Sequence, residues 1–235
     1  MATNPINVNA VLIQRFPLFA DLSLSQCLTI MSGTQERRFS RKQIIFSQGD
    51  PIRRILLLLS GCVKLTQFGQ DGDEVILRLN GPGEIVGGPG LCSEGEHTST
   101  ARTMESSVAL LWDTAHFGDL IERFPIFGSN LTRVLAGQLQ EMDERFREVS
   151  TEKVRARLSN QLVRLSDQMG KKVEGCFEIG LSRAELAQLT GTTLFTVSRL
   201  LCEWETQGIL SSRRECVLVR DLKALRSLAN RQPED

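Results

Sequence analysis

Residues 182–199 constrain the fold more than any other part of this 235-residue chain. Ser182 and Glu185 form a capping-box pattern, which starts a helix. When the residue after Ser182 is counted as position one, a small residue, a glycine and two branched apolar residues fall at positions 5, 9, 15 and 18: Ala187, Gly191, Val197 and Leu200. Two helices that cross steeply over a short turn need a small residue at their contact and glycine at the turn. The spacing therefore predicts a helix-turn-helix, with helices at 183–189 and about 193–207.

The second of these helices carries the candidate DNA-reading residues. Its core-facing side is expected to hold Val197, Leu200 and Leu201, and its outward side Leu194, Phe195, Ser198 and Arg199. The N-terminal part of such a helix faces base edges in the major groove. Arg199 is suited to a bidentate contact with guanine O6 and N7, and Thr192 and Thr193 are placed to contact a phosphate. The alternative for Arg199 is a solvated surface arginine; the surrounding motif favours DNA contact.

A basic wing is predicted after the second helix. Residues 209–213 and 216–219 are typical of two short strands, and Arg213 and Arg214 lie near the turn that joins them, close to a sugar-phosphate backbone. Charge supports a separate nucleic-acid module, since residues 150–235 hold 14 Lys and Arg against 11 Asp and Glu, whereas residues 1–149 hold 14 against 17. Ordinary scatter would also give a difference of this size.

The N-terminal half has the pattern of a β domain. Apolar runs at 43–46, 55–59, 63–66 and 75–79 are separated by glycine-containing turns, and 108–112 is a last strand candidate. Short strands at this spacing predict a barrel or jelly roll. The fold class expected is α+β, with an effector-sensing β-roll at 1–116, a dimerisation helix region at 117–149 and a winged helix-turn-helix at 150–235.

Helical periodicity begins at Phe117 and includes a narrow apolar seam. Its members follow 4-3-4-3 spacing with polar residues between them: Leu135, Leu139, Met142, Phe146 and Val149. Such a seam suits a partner helix better than a helix packed on its own roll, so it predicts a homodimer interface. Residues 150–152 are interpreted as the cap and hinge of a further helix from about 153 to 168, and 170–180 as a polar or weakly β connector.

Composition excludes several classes of protein. The apolar run at 55–59 is far shorter than the roughly 18 residues of a membrane span, and the first 14 residues carry no side-chain charge, unlike a secretory signal. Six cysteines without a CxxC pair indicate a reducing cytoplasm. The chain has two histidines and no tyrosine, and no nucleophile elbow, Walker loop or HExxH motif, which argues against an enzyme.

In the order of these elements, and in residues 183–199, the chain resembles the CRP/FNR family of bacterial transcription regulators. Further matching residues are Gly49-Asp50, Gly61, Gly83-Glu84 and Leu210. The resemblance implies a cyclic-nucleotide-binding-type roll that senses an effector, a homodimer on a pseudo-palindromic double-stranded operator, and action on RNA polymerase. It also implies that Arg199 contacts a base. A ligand-binding regulatory module acting on a protein partner is the alternative function.

Departures from the family pattern argue against cyclic AMP. The effector pocket implied by the resemblance comprises Gly87, Gly88, Leu91, His97 and Thr98. Gly88 replaces the acidic residue expected at the ribose, and His97 replaces the arginine that would hold the phosphate. An iron–sulfur cluster of the oxygen-sensing branch is also not expected, because the six cysteines are widely spread.

Two further departures leave alternatives open. Some family members sense diatomic gases through haem, and His97 with Cys92 are candidate ligands, although a surface histidine on a polar loop is favoured over a haem ligand. Leu194 is apolar, and Phe195 stands where the family often has glutamate. These two side chains either contact thymine methyl groups, the favoured interpretation, or pack against the protein.

Overall fold

The computed structural model of the chain describes residues 12–70, 72–87 and 95–230. These residues form two compact units. The first comprises the chain up to Gly72 with Leu77–Glu141, and the second comprises Asp73–Ile76 with the chain from Met142 onward. Each unit has buried apolar side chains of its own.

Two four-stranded sheets form the N-terminal β-roll, with strand orders β1-β8-β3-β6 and β2-β7-β4-β5. The strands are β1 (Gln35–Phe39), β2 (Ile44–Phe46), β3 (Arg54–Ser60), β4 (Val63–Phe68), β5 (Glu74–Asn80), β6 (Ile85–Val86), β7 (Thr100–Thr103) and β8 (Ser107–Asp113). This arrangement confirms the predicted sheet-rich N-terminal domain. Strand β1 was not among the apolar runs, because its sequence QERRF has only Phe39 buried.

The apolar run in β3 is continuous because both of its faces are buried. Leu56 and Leu58 enter the core between the two sheets. Ile55, Leu57 and Leu59 enter a second core with aromatic side chains of the flanking helices and β8: Phe19, Trp112, Phe117 and Phe127. A strand covered on both sides needs no polar alternation.

The helices of the first part of the chain are α1 (Leu24–Met31), α2 (Thr114–Arg123), α3 (Pro125–Thr151) and α4 (Val154–Met169). The prediction that residues 150–152 cap α4 was wrong. Ser150 and Thr151 donate their hydroxyls back to the carbonyls of Phe146 and Arg147, at 2.9 and 2.8 Å, so α3 continues to Thr151. Lys153 precedes α4 without a side-chain cap. Although α3 has 27 residues, neither it nor another helix in the described ranges is long and apolar enough to cross a membrane.

The C-terminal unit contains the predicted helix-turn-helix and wing. Its elements after α4 are β9 (Lys171–Val173), β10 (Cys176–Ile179), α5 (Arg183–Thr190), α6 (Leu194–Thr206), β11 (Leu210–Ser212), β12 (Val217–Val219) and α7 (Leu222–Asn230). The sheet order is β11-β12-β10-β9. Strands β9 and β10 form a hairpin where only a weakly β connector was expected; Glu174 and Gly175 both have positive φ, as a tight hairpin turn requires.

Candidate nucleic-acid interface and effector site

The turn between α5 and α6 has the local geometry that its sequence predicts. Ser182 Oγ accepts a hydrogen bond from the Glu185 amide at 3.2 Å, and the Ser182 amide donates to Glu185 Oε2 at 3.0 Å, which completes the capping box. Gly191 ends α5 with φ of 58°, a left-handed conformation that glycine adopts without strain. Val197 and Leu201 are fully buried, so the inward face of α6 is as predicted.

The outward face of α6 starts at the first turn of the helix. Leu194 is 53% exposed and Phe195 is 78% exposed. One turn further on, Arg199 is exposed and Ser198 is half-buried. Thr193 is the N-cap, and its hydroxyl accepts from the Thr196 amide at 3.2 Å. Thr192, also predicted at the interface, is half-buried beside it.

An ion pair fixes the C-terminal half of α6. Arg155 of α4 donates to both carboxylate oxygens of Glu203, at 2.7 and 2.6 Å. Both bonds come from the Nη2 nitrogen, so this is a charge-assisted hydrogen bond shared between the two carboxylate oxygens. The helix is therefore held to its own domain at one end, while its first two turns present an open face. Sequence reasoning missed this pair, because its members are 48 residues apart.

Arg157 of α4 connects the end of α3 to the helix-turn-helix. It donates to the carbonyls of Thr190 and Gly191, at 3.2 and 3.3 Å, and to the carbonyl of Glu152 at 2.9 Å. Arg145 of α3 also reaches the carbonyl of Leu189 at 3.1 Å. These carbonyls at helix ends have no intrahelical donor, so the two arginines replace water there. No motif marked either arginine in the sequence.

The wing places two cations on an exposed turn. Arg213 and Arg214 follow β11, and the Arg213 amide donates to the carbonyl of Cys216 at 2.8 Å, which closes the turn before β12. Both side chains are exposed. Arg183 donates to the Ser212 hydroxyl from two nitrogens, at 3.0 and 2.9 Å, and ties the start of α5 to the wing.

The predicted seam of α3 lies largely in solvent. The exposed fractions are 59% for Leu139, 64% for Met142, 75% for Phe146 and 51% for Val149. Leu135 differs, since it is half-buried against the core of the β-roll. On another face of the same helix Glu148 is buried, and it accepts from Arg164 of α4 at 2.7 and 2.8 Å. The helix thus packs on its own chain with one face and leaves a second, apolar face uncovered.

His97, which the family resemblance places in the candidate effector pocket, is buried. Its ring stacks on Phe46, with centroids 3.5 Å apart and planes within 8°. The backbone of Gly87 approaches the same two rings, whereas Thr98 is exposed. Burial lowers the pKa of His97, although the Asp50 carboxylate acts in the opposite direction. The imidazole is consequently neutral at pH 7. The remaining predicted residues here, Gly88, Leu91 and Cys92, lie outside the described residues.

His97 also lines an open cleft of about 500 Å³ in the β-roll. Buried apolar side chains of Phe39, Leu56 and Leu111 contribute to its lining, as do the exposed arginines 37, 53 and 54. His97 Nδ1 is buried and has no hydrogen-bond partner within the parts of the chain that the structure describes. Such a nitrogen is available to a ligand that displaces its neighbours.

Comparisons with known proteins agree with this architecture. Residues 36–124 match the cyclic nucleotide-binding domain family, and residues 156–228 match the Crp-like helix-turn-helix domain. The cyclic AMP receptor protein of Thermus thermophilus is 33% identical over 213 residues, which cover 91% of this chain and 96% of that protein. The CRP-like cAMP-activated global transcriptional regulator of Mycobacterium tuberculosis is 26% identical over 216 residues, with 91% and 96% covered.

A solved structure shares the fold at lower identity. The c-di-GMP responsive global regulator CLP of Xanthomonas campestris is 22% identical, with a TM-score of 0.73 over 84% of this chain and 99% of that chain. The Crp-like helix-turn-helix match decides against a module that acts only on a protein partner, and the relatives are regulators rather than enzymes. The chain belongs to the CRP/FNR family and is a transcription regulator with a helix-turn-helix DNA-binding domain.

Proposed function

We propose that this regulator acts as a homodimer in the cytoplasm, where it binds a pseudo-palindromic operator and acts on RNA polymerase under the control of an effector other than cyclic AMP. One observation carries the DNA-binding part, namely the open face of α6 that begins at Leu194 and ends at Arg199. The wing adds Arg213 and Arg214 on the same unit, and arginines of this kind position a protein on phosphates while base contacts specify the sequence.

The apolar stripe on α3 supports a homodimer. Four exposed side chains at alternating spacings of three and four residues form one line along the helix, which fits a second copy of the same helix in a parallel pair. Such a pair has two-fold symmetry, so each chain would present one α6 to one half-site. Half-sites then lie about one DNA turn apart, roughly 34–36 Å centre to centre.

Cyclic AMP is a poor effector for this chain because the phosphate would meet a neutral imidazole. His97 stands where the family resemblance places an arginine, and burial against Phe46 keeps it uncharged. An arginine would offer a charged, bidentate donor there. The cyclic AMP in the names of two relatives is a property of those proteins, which share a third or less of their residues with this chain.

Haem is one candidate effector, and the buried Nδ1 of His97 is the observation that favours it. A neutral imidazole nitrogen with no hydrogen-bond partner among the described residues would be able to hold the haem iron. To use it, His97 would have to leave its stack on Phe46. The other candidate ligand, Cys92, lies outside the described residues. Bound haem would supply a site for a diatomic gas.

Selection from random duplexes, followed by titration, tests the DNA-binding proposal. The purified protein should enrich a pseudo-palindrome with half-sites 10–10.5 base pairs apart, and should bind it about a thousandfold or more tightly than unrelated duplex at physiological salt. Affinity that depends on salt but not on sequence would contradict it.

Two measurements on the purified protein separate the effector candidates. Calorimetric titration with cyclic AMP should show no heat of binding, and micromolar affinity would refute the argument from His97. An absorption spectrum after haem addition would show an intense band near the violet end if haem binds, and that band should shift or vanish in His97→Ala. A protein that takes up no haem rules this candidate out.

A further inference from the structure

The recognition helix begins with two apolar side chains that the protein itself does not cover. Phe195 is the most exposed large apolar side chain among the described residues, at 78%, and Leu194 beside it is 53% exposed. This exposure favours DNA contact over packing against the protein, because about half of Leu194 and most of Phe195 lie in solvent. When a partner covers apolar area that the free protein exposes to water, the burial of that area contributes favourable binding free energy.

The position of Phe195 relative to Arg199 limits what that partner is. The two residues are four apart on α6, so they lie on one face of the helix, about 6 Å apart along its axis. Ser198 lies between them on that face, half-buried. Nearby hydroxyls are already engaged, since Thr193 Oγ1 and Thr196 Oγ1 are 2.9 Å apart and share a hydrogen bond. The first turn therefore offers mainly apolar contact, and the second turn offers a guanidinium.

The major groove contains one apolar group that distinguishes base pairs, the C5-methyl of thymine. The 3.4 Å rise of a base pair is measured along the DNA axis, whereas a recognition helix lies in the groove at an angle to that axis. Side chains about 6 Å apart on the helix therefore reach bases within about two base pairs of each other. We propose, on the basis of the DNA-binding function above, that Phe195 and Leu194 recognise thymine methyl groups within about two base pairs of the guanine that Arg199 contacts. Each half-site would then be read by methyl contact at one end and by hydrogen bonds at the other.

Replacement of thymine by deoxyuridine tests this proposal, because it removes the methyl group and leaves base pairing unchanged. Thymines of the selected operator are replaced one at a time, and affinity is measured by fluorescence anisotropy at fixed salt. At the recognised position, loss of one buried methyl should weaken binding about fourfold per half-site and about fifteenfold when both half-sites carry the change. Other positions should show no effect.

Two protein variants assign the effect to the side chain. Phe195→Ala should bind the thymine and deoxyuridine operators with nearly equal affinity at that position. Phe68→Ala is the matched control, since Phe68 is an exposed phenylalanine of β4, at 60%, outside the DNA-binding unit. It should keep the full discrimination of the wild type. Circular dichroism melting of both variants checks that they remain folded.

The outcomes separate this inference from the proposed function. If no operator is selected, the DNA-binding proposal itself fails. If an operator is selected and Arg199→Ala relaxes one guanine, but no thymine responds to deoxyuridine, only the methyl contact is refuted. A deoxyuridine effect that persists in Phe195→Ala would also refute the role of Phe195. Discrimination that is lost in Phe195→Ala and retained in Phe68→Ala supports the inference.

Discussion

Helices α3 and α6 both expose large apolar side chains, but in different patterns. On α3 the exposed residues Leu139, Met142, Phe146 and Val149 recur every three or four positions and form a long stripe. On α6 the two apolar residues are adjacent, lie in the first turn, and are followed by Ser198 and Arg199. A repeated stripe is complementary to another helix. An isolated apolar pair beside an arginine instead matches the edges of bases.

The amounts of exposed apolar surface on α3 and α6 support the same distinction. Fully burying a large apolar side chain contributes about 1.5–3 kcal/mol, so the stripe from both copies represents a driving force large enough to hold two chains together. The pair on α6 is too small for that. It needs phosphate contacts to supply most of the affinity, and such contacts are consistent with exposed Arg213 and Arg214 on the wing.

The largest expected effect comes from charging the stripe. Replacing Leu139 and Met142 together by Glu should give monomers in sedimentation experiments, because carboxylates would repel across the two-fold axis. Monomers offer only one α6, so operator affinity should fall by about a thousandfold or more, to the non-specific level. Gln140→Glu, on the polar side of the same helix, should remain dimeric. A double variant that stays dimeric would show that another surface joins the chains.

The next effect is on the stability of a single chain, at the face of α3 that packs on its own chain. Glu148→Gln leaves the Arg164 guanidinium without its buried carboxylate and should lower the free energy of unfolding by about 3–5 kcal/mol, measured by urea titration. The matched control is Glu144→Gln, since Glu144 is exposed and lies 4.0 Å from Arg147; its cost should be under about 1 kcal/mol. If the two variants lost the same free energy of unfolding, the face of α3 at Glu148 would contribute no more to stability than the exposed face at Glu144.

The smallest effect is a dependence of stability on pH in the β-roll. Burial lowers the pKa of His97 in the folded chain, so its contribution is fully present above the unfolded pKa of about 6.5 and is lost as pH falls toward the folded value. His97→Phe, which can keep a ring against Phe46, should lose less stability than the wild type between pH 7 and pH 5. If His97→Phe and the wild type lost the same stability between pH 7 and pH 5, His97 would not be the group responsible.

Prediction from sequence succeeded where the signal is local. The capping box at Ser182 and Glu185, the turn glycine Gly191 and the buried Val197 each depend on residues within one turn or two, and all are found as expected. The apolar seam of α3 was also predictable from the sequence, since its spacing follows the period of the helix itself. Only Leu135 departs, because the β-roll core covers it.

Prediction failed where partners are distant or where local rules compete. Nothing near Arg157 in the sequence indicates that it binds the carbonyl of Thr190, 33 residues away. Nothing near Glu203 indicates that it binds Arg155, 48 residues away. At Ser150 and Thr151 hydroxyls that often cap a following helix instead bond back to the preceding turn. Strand β1 was missed for another reason, since four of its five residues are exposed and its sequence has no apolar alternation.

The central claim is that α6 reads DNA sequence through Arg199. The most direct test compares the base preference of Arg199→Ala with that of Arg213→Ala at every operator position. Arg199→Ala should cost about 1–3 kcal/mol of binding free energy and relax the preference at one guanine in each half-site, whereas Arg213→Ala should weaken all sequences alike and reduce the salt dependence. If Arg199→Ala weakens every sequence equally, Arg199 contacts a phosphate and the claim is wrong.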